Sequence, residues 1–157
     1  MTALEMILYI ALVVLILGVV VETLFVITKS YRATAVTRSI NISSLLALER
    51  MERDIRNASS IDQAQSIFGA SPGKLIVLTP ATTTEFYSDS TGILVKENDI
   101  FKDSLTSSLV TPSNLRFYLI STGKSSGIKI ELTLQSGTGT TFRSEKFYDT
   151  VMLRSSY

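Results

Sequence analysis

Two carboxylates stand where an apolar segment has no use for them. Between Met1 and Thr28 the only charged side chains are Glu5 and Glu22, and Met6 to Val21 carries none. A charged acid at the centre of a bilayer costs roughly 2.5–3.5 kcal/mol on the milder scales, and a plain anchor gains nothing for it. A subunit that must find a specific partner does gain, because a buried charge is relieved only by an opposite charge set against it. The nearest candidate is the α-amino group of Met1 on a neighbouring copy, so Glu5 reads as a register device that penalises every docking that leaves it unpaired. Glu22 is followed only by Thr23 and the apolar Leu24–Ile27 before Thr28 and Lys29. It therefore reads either as a second buried pairing group or as a residue at head-group level near the outer interface, and its position favours the interface. Gly18, Glu22 and Thr23 are the weakest helix formers of the span, so a helix melting under packing strain is expected to melt there.

Other chemistry is thinly supplied. The 157 residues include no His and no Cys, which removes Ser-His-Asp and Cys-His mechanisms, imidazole metal sites, thiolate clusters and disulfides. Carboxylate pairs, lysines and hydroxyls remain, and no enzyme and no cofactor are expected from them. With 15 Lys+Arg against 14 Asp+Glu the net charge is +1, without a general pull toward nucleic acid or anionic lipid. Asp89, Asp99 and Asp103 offer oxygen ligands for Ca²⁺, but their spacing fits no calcium loop and turn acids usually serve the turn. Lys102, Arg116, Lys124, Lys129, Arg143 and Lys146 are interleaved with acids and hydroxyls, so no nucleic-acid surface is expected. Asn41-Ile42-Ser43 and Asn57-Ala58-Ser59 match the N-glycan acceptor pattern, which is short enough that chance is the better reading.

The elements that must position these residues are legible from periodicity. The first segment is long enough to span a bilayer, which takes about 20 residues. No Pro precedes Pro72, and Gly18 is the only Gly before Gly69. One helix is therefore expected from about Thr2 to about Asn57, roughly 85 Å at 1.5 Å per residue. Past the span, Val36, Ile40, Leu45, Leu48, Met51 and Ile55 form an apolar stripe expected to seat the rest of the chain. Glu49–Arg53 and Glu52–Arg56 are i,i+4 pairs in the favourable order, worth a few tenths of a kcal/mol and read as a solvated face. After a connecting loop, Ser59 to Gly73, the period becomes two. Leu75 to Thr79, Glu85 to Ser88, Ile93 to Glu97, Leu115 to Leu119, Ile128 to Gln135 and Phe142 to Leu153 read as strands. Asp89-Ser90-Thr91-Gly92 turns the first hairpin. The fold class is α+β: a long N-terminal helix packed on an antiparallel sheet. Three regions are expected: 1–28 as an apolar membrane or filament-core segment, 29–58 as an amphipathic helix half, and 59–157 as a β-sheet head.

Lys29, Arg32 and Arg38 all follow the span, so the positive-inside rule alone would put the head in the cytoplasm. A head rich in Ser and Thr, roughly a quarter of the chain, sits better outside, which suggests that a basic leader once preceded Met1.

Met1-Thr2-Ala3-Leu4-Glu5-Met6 resembles the start of mature type IV pilins and type II secretion pseudopilins. Leu48 to Ala58, Phe86 to Val95, Leu105-Thr106-Ser107, Leu115-Arg116-Phe117 and Thr150 to Arg154 are similar to parts of minor pilins and J-type minor pseudopilins. The resemblance implies a leader removed by a prepilin peptidase, Met1 as the processed and methylated residue, and Glu5 paired with the amine of an adjacent subunit. It implies a structural subunit that waits in the cytoplasmic (inner) membrane and is then built by the pilus assembly machinery into an extracellular filament, a helical homopolymer or a mixture with other pilins, serving adhesion or secretion. The chain departs from many major pilins in having no C-terminal disulfide loop and Glu22 where a Pro is frequent. A minor tip pilin or a pseudopilin is the alternative within the class, and a membrane-anchored extracytoplasmic binding domain the alternative outside it.

Overall fold

The computed structural model describes residues 2–122 and 125–154. A single helix, α1, runs Ala3–Arg56. It contributes to two units of the chain, one ending at Ala35 and the other beginning at Val36. Its lack of Pro and its single early Gly allow that length. Thr2 leads into its first turn, its carbonyl accepting the Glu5 N–H at 3.0 Å and the Met6 N–H at 3.3 Å. Arg53 and Arg56 occupy its last turn, where positive charge suits the helix dipole.

In the second unit α1 packs on two antiparallel sheets rather than the one expected. The first has five strands in sequence order: β1 Ser60–Ile61, β2 Lys74–Leu78, β3 Thr83–Ser88, β4 Ile93–Glu97 and β5 Ile100–Ser104. The second is a meander of β6 Val110–Thr122, β7 Ser125–Ser136 and β8 Arg143–Met152. Alternation predicts strands but not which of them pair. The break falls after β5, where the chain returns past the helix and the Ser107 N–H donates to Ser43 Oγ at 3.3 Å.

Turn chemistry explains the hairpins. Asp89 closes the β3–β4 turn as expected: its Oδ1 accepts from the Thr91 N–H at 2.7 Å, the Thr91 hydroxyl at 2.6 Å and the Gly92 N–H at 3.1 Å. A Cβ on Gly92 would collide with Thr106 Oγ1, which itself accepts the Ile93 N–H at 3.1 Å. The β4–β5 turn escaped the sequence reading. Asn98 and Asp99 both have positive φ, 51° and 63°, the requirement of a two-residue type I′ hairpin, which Asn and Asp tolerate.

The segment expected as a plain connection does more than connect. It pairs as β1 with β2, and its Gly69 and Gly73 N–H groups donate to Phe117 O at 2.9 Å and Leu115 O at 2.8 Å. Those bonds cover one edge of β6, and a side chain at Gly73 would meet the Leu115 carbonyl.

The core gathers Ile40, Ala47, Met51 and Ile55 of α1 against Leu75, Val77, Phe86 and Val95 of the first sheet and Leu115, Phe117, Ile130 and Leu132 of the second. The helix stripe differs from the expectation at one position. Leu45 is 57 % exposed, while Ser43, Ser44 and Ala47 are buried. At about 100° per residue Leu45 is turned some 140° from Ile40, whereas Ser44, Ala47, Met51 and Ile55 keep the three- and four-residue steps of one face. The buried hydroxyls are satisfied, Ser44 Oγ donating to Asn41 O at 2.9 Å and Ser43 Oγ accepting from Ser107.

Candidate functional site in the apolar helix

Within the first unit the apolar side chains are exposed all round the helix. Leu4, Ile7, Leu15, Phe25 and Tyr31 are among them, and no residue from Leu4 to Ile27 is buried. An amphipathic helix would confine its apolar residues to one face; here they occupy all faces, and α1 is long and apolar enough to cross a membrane.

Glu5 lies in the first turn of α1, and its Oε2 accepts the Thr2 N–H at 3.4 Å. Thr2-Ala3-Leu4-Glu5 has the spacing of a capping box, in which the acid three residues past the cap reaches back to the cap's own N–H. The sequence signal was a Thr followed three residues later by Glu, and reading Glu5 as a pairing group passed over it. An acid in this turn also complements the positive end of the helix dipole. Met1, expected as its counter-charge and as the processed residue, lies outside the described residues.

Gly18, Glu22 and Thr23 all lie within the unbroken α1. A Cβ placed on Gly18 would meet open space. The Thr23 hydroxyl donates to the Val19 carbonyl at 2.8 Å, and the Thr28 hydroxyl to Leu24 O at 2.8 Å. Such back-bonding lets a hydroxyl ride in apolar surroundings and also competes with the helix ladder, which bends helices. Among the described residues neither Glu5 nor Glu22 forms an ion pair.

On the head, the three candidate calcium acids sit at separate places. Asp89 is in the β3–β4 turn, where the Thr91 hydroxyl and N–H hold its pKa below the ordinary value. Asp99 is in the β4–β5 turn, and Asp103 is on β5, its Oδ1 accepting the Ser104 N–H at 2.8 Å. No group of three or more His, Cys, Asp or Glu among the described residues could hold a metal ion.

Two of the scattered bases pair with nearby acids. Lys102 lies 3.5 Å from Glu97. Lys129 is 2.8 Å from Glu131 and sits over the rings of Tyr118 and Tyr148 at 5.5 and 5.8 Å. That hydrogen bond raises the Lys129 pKa and lowers that of Glu131. Arg116 is paired in register with Glu131 across β6 and β7, with its Nε buried and without a partner. Lys124 lies outside the described residues.

Of the two helix pairs expected, Arg56–Glu52 forms. Arg53 approaches Asp54 at 3.6 Å instead of Glu49, and Arg50 forms one further i,i+4 contact and one long-range contact that local spacing does not suggest. Its Nε contacts Asp54 at 2.7 Å while its Nη2 reaches Glu97 of β4 at 2.7 Å. No protein-family model, curated protein or solved structure matches this chain.

Proposed function

We propose that this chain is a structural subunit of a type IV pilus-like filament, held in a membrane by the apolar part of α1 before assembly and packed through that part afterwards. One observation carries the reading: apolar side chains are exposed on all sides of α1 from Leu4 to Ile27, whereas the head buries a core of its own. Each Leu, Ile, Val or Phe taken fully out of water contributes about 1.5–3 kcal/mol, so about fifteen of them supply tens of kcal/mol. A single neighbour in water covers one side only; a bilayer or a bundle of several copies covers all. Glu5 adds the specificity, since a charge at the start of a packed helix selects arrangements that bring it a cation. In this reading the partners are further copies, other pilins, a prepilin peptidase acting at Met1 and the assembly machinery, and the final location is an extracellular filament.

The Thr2–Glu5 hydrogen bond favours a second reading, a membrane-anchored extracytoplasmic domain, because it gives Glu5 a task inside its own chain. Immunogold electron microscopy with an antibody to the head separates them. Label along filaments sheared from the cell surface is expected. Label confined to the membrane of cells that carry filaments overturns the subunit reading, and label at tips alone marks a minor subunit.

A further inference from the structure

The two acceptor tripeptides of the sequence are built in opposite ways. Asn41-Ile42-Ser43 lies inside α1, where residues two apart point to different sides. Asn41 is exposed, whereas Ser43 is 3 % exposed and its hydroxyl oxygen takes the Ser107 N–H. Asn57-Ala58-Ser59 begins just past the last residue of α1. Ala58 is buried at 2 % and anchors the tripeptide in the core, while Asn57 and Ser59 on either side of it are exposed. Asn57 and Ser59 thus both lie at the surface, where an Asn-x-Ser acceptor must be.

The surroundings suit a sugar. Asn57 borders two surface depressions, one lined with Glu49, Glu52, Arg53 and Arg56, the other with Arg56, Thr150, Met152 and Arg154. They offer charged donors and acceptors for hydroxyls and the Met152 side chain for the apolar face of a ring. The element that follows the tripeptide is short: β1 is two residues long and at the edge of its sheet, and short edge elements open locally at low cost. Ser59 is held by its N–H and its hydroxyl to Leu78 O at 2.8 and 2.9 Å.

We propose that Asn57 is an acceptor site for an N-linked glycan and that Asn41 is not. The donor is an oligosaccharide carried on a lipid diphosphate. The bond between its first sugar carbon and the diphosphate oxygen breaks, the diphosphate leaving with the electron pair. The Asn57 Nδ2–carbon bond forms, and Nδ2 loses one proton. In the cell the site rests on the extracytoplasmic head of the filament reading; the chemistry is testable without it.

The test uses the purified full chain in detergent, a purified sequon-directed oligosaccharyltransferase and a lipid-linked oligosaccharide diphosphate, read by intact mass and peptide mapping. The expected result is one glycan mass increment on the unmodified chain, retained in Asn41→Gln and Ser59→Thr and lost in Asn57→Gln and Ser59→Ala. No transfer, under conditions that modify an Asn-x-Thr control peptide, overturns the proposal, as does a glycan mapped to Asn41. A glycosylated chain that never enters filaments would remove the subunit reading and support this one.

Discussion

Arg50 on α1 and Glu97 on β4, 47 residues apart in sequence, meet at 2.7 Å, with Asp54 holding the other side of the same guanidinium. The contact fastens the helix to the first sheet at its solvent edge, where both side chains are half-buried. The hydrogen bond from Arg50 holds the Glu97 carboxyl below its ordinary pKa, and bonds to Asp54 and then Glu97 raise that of Arg50.

The sign of the pH dependence follows. A carboxylate whose folded pKa is depressed stabilises above its unfolded value, about 4.3 for Glu, and loses that contribution as pH falls through the lower folded value. Arg50 stays charged throughout. Urea unfolding of a fragment lacking residues 1–28 should show Glu97→Gln less stable by about 1 kcal/mol at pH 7. The difference from wild type should shrink below about pH 4. A gap that persists undiminished at pH 2 counts against the pairing.

Removal of residues 1–28 is itself expected to leave a soluble, monomeric head with strand-rich circular dichroism. The core uses α1 only from Ile40 onward among its fully buried apolar residues, with Val36 partly buried against it. Aggregation, or a transition without cooperativity, would show that the apolar segment is needed for the head to fold.

The revised helix stripe makes a paired prediction. Met51 is fully buried, so Met51→Ala should cost about 2–5 kcal/mol. Leu45→Ala, at an exposed site, should stay within about 0.5 kcal/mol in the monomeric head. Equal costs in chemical denaturation would mean that Leu45 faces the core after all.

Glutamine separates the two tasks of Glu5, because it can still accept the Thr2 N–H as a capping residue does but carries no charge. Under the filament reading both Glu5→Gln and Glu5→Val should insert into membranes and both should lose most of the sheared filament. If Glu5→Gln assembles like wild type while Glu5→Val does not, helix capping is the task that matters.

A charge placed deeper tests the driving force. Leu12→Lys puts an ammonium in the all-round apolar surface at a cost of roughly 2.5–3.5 kcal/mol in lipid, and filaments should not form. Charge changes on the head, such as Lys146→Glu, should leave filament yield unchanged. Normal filaments from Leu12→Lys, together with filaments that dissolve when proteases shave the heads, would place the driving force in the heads instead.

By itself the sequence determined what depends on neighbours along the chain. The absence of Pro and the single Gly18 set the reach of α1, its charge-free run set the apolar segment, and alternation marked β2, β4 and β8 to within a residue at each end and the middle of β7. Asp89-Ser90-Thr91-Gly92 announced its hairpin because the acid bonds only to the next few residues. The capping spacing of Thr2 and Glu5 was equally legible and was missed because the cost of burying a charge drew the reading elsewhere. The tertiary structure alone decided the rest. Alternation is the same for a strand in either sheet, so the division after β5 depends on where the return past Ser43 lets β6 begin. The burial of the Ser43 hydroxyl depends on a loop close enough to donate to it. The Arg50–Glu97 contact and the cover that Gly69 and Gly73 give β6 join residues more than forty positions apart, and no local periodicity encodes a partner at that separation.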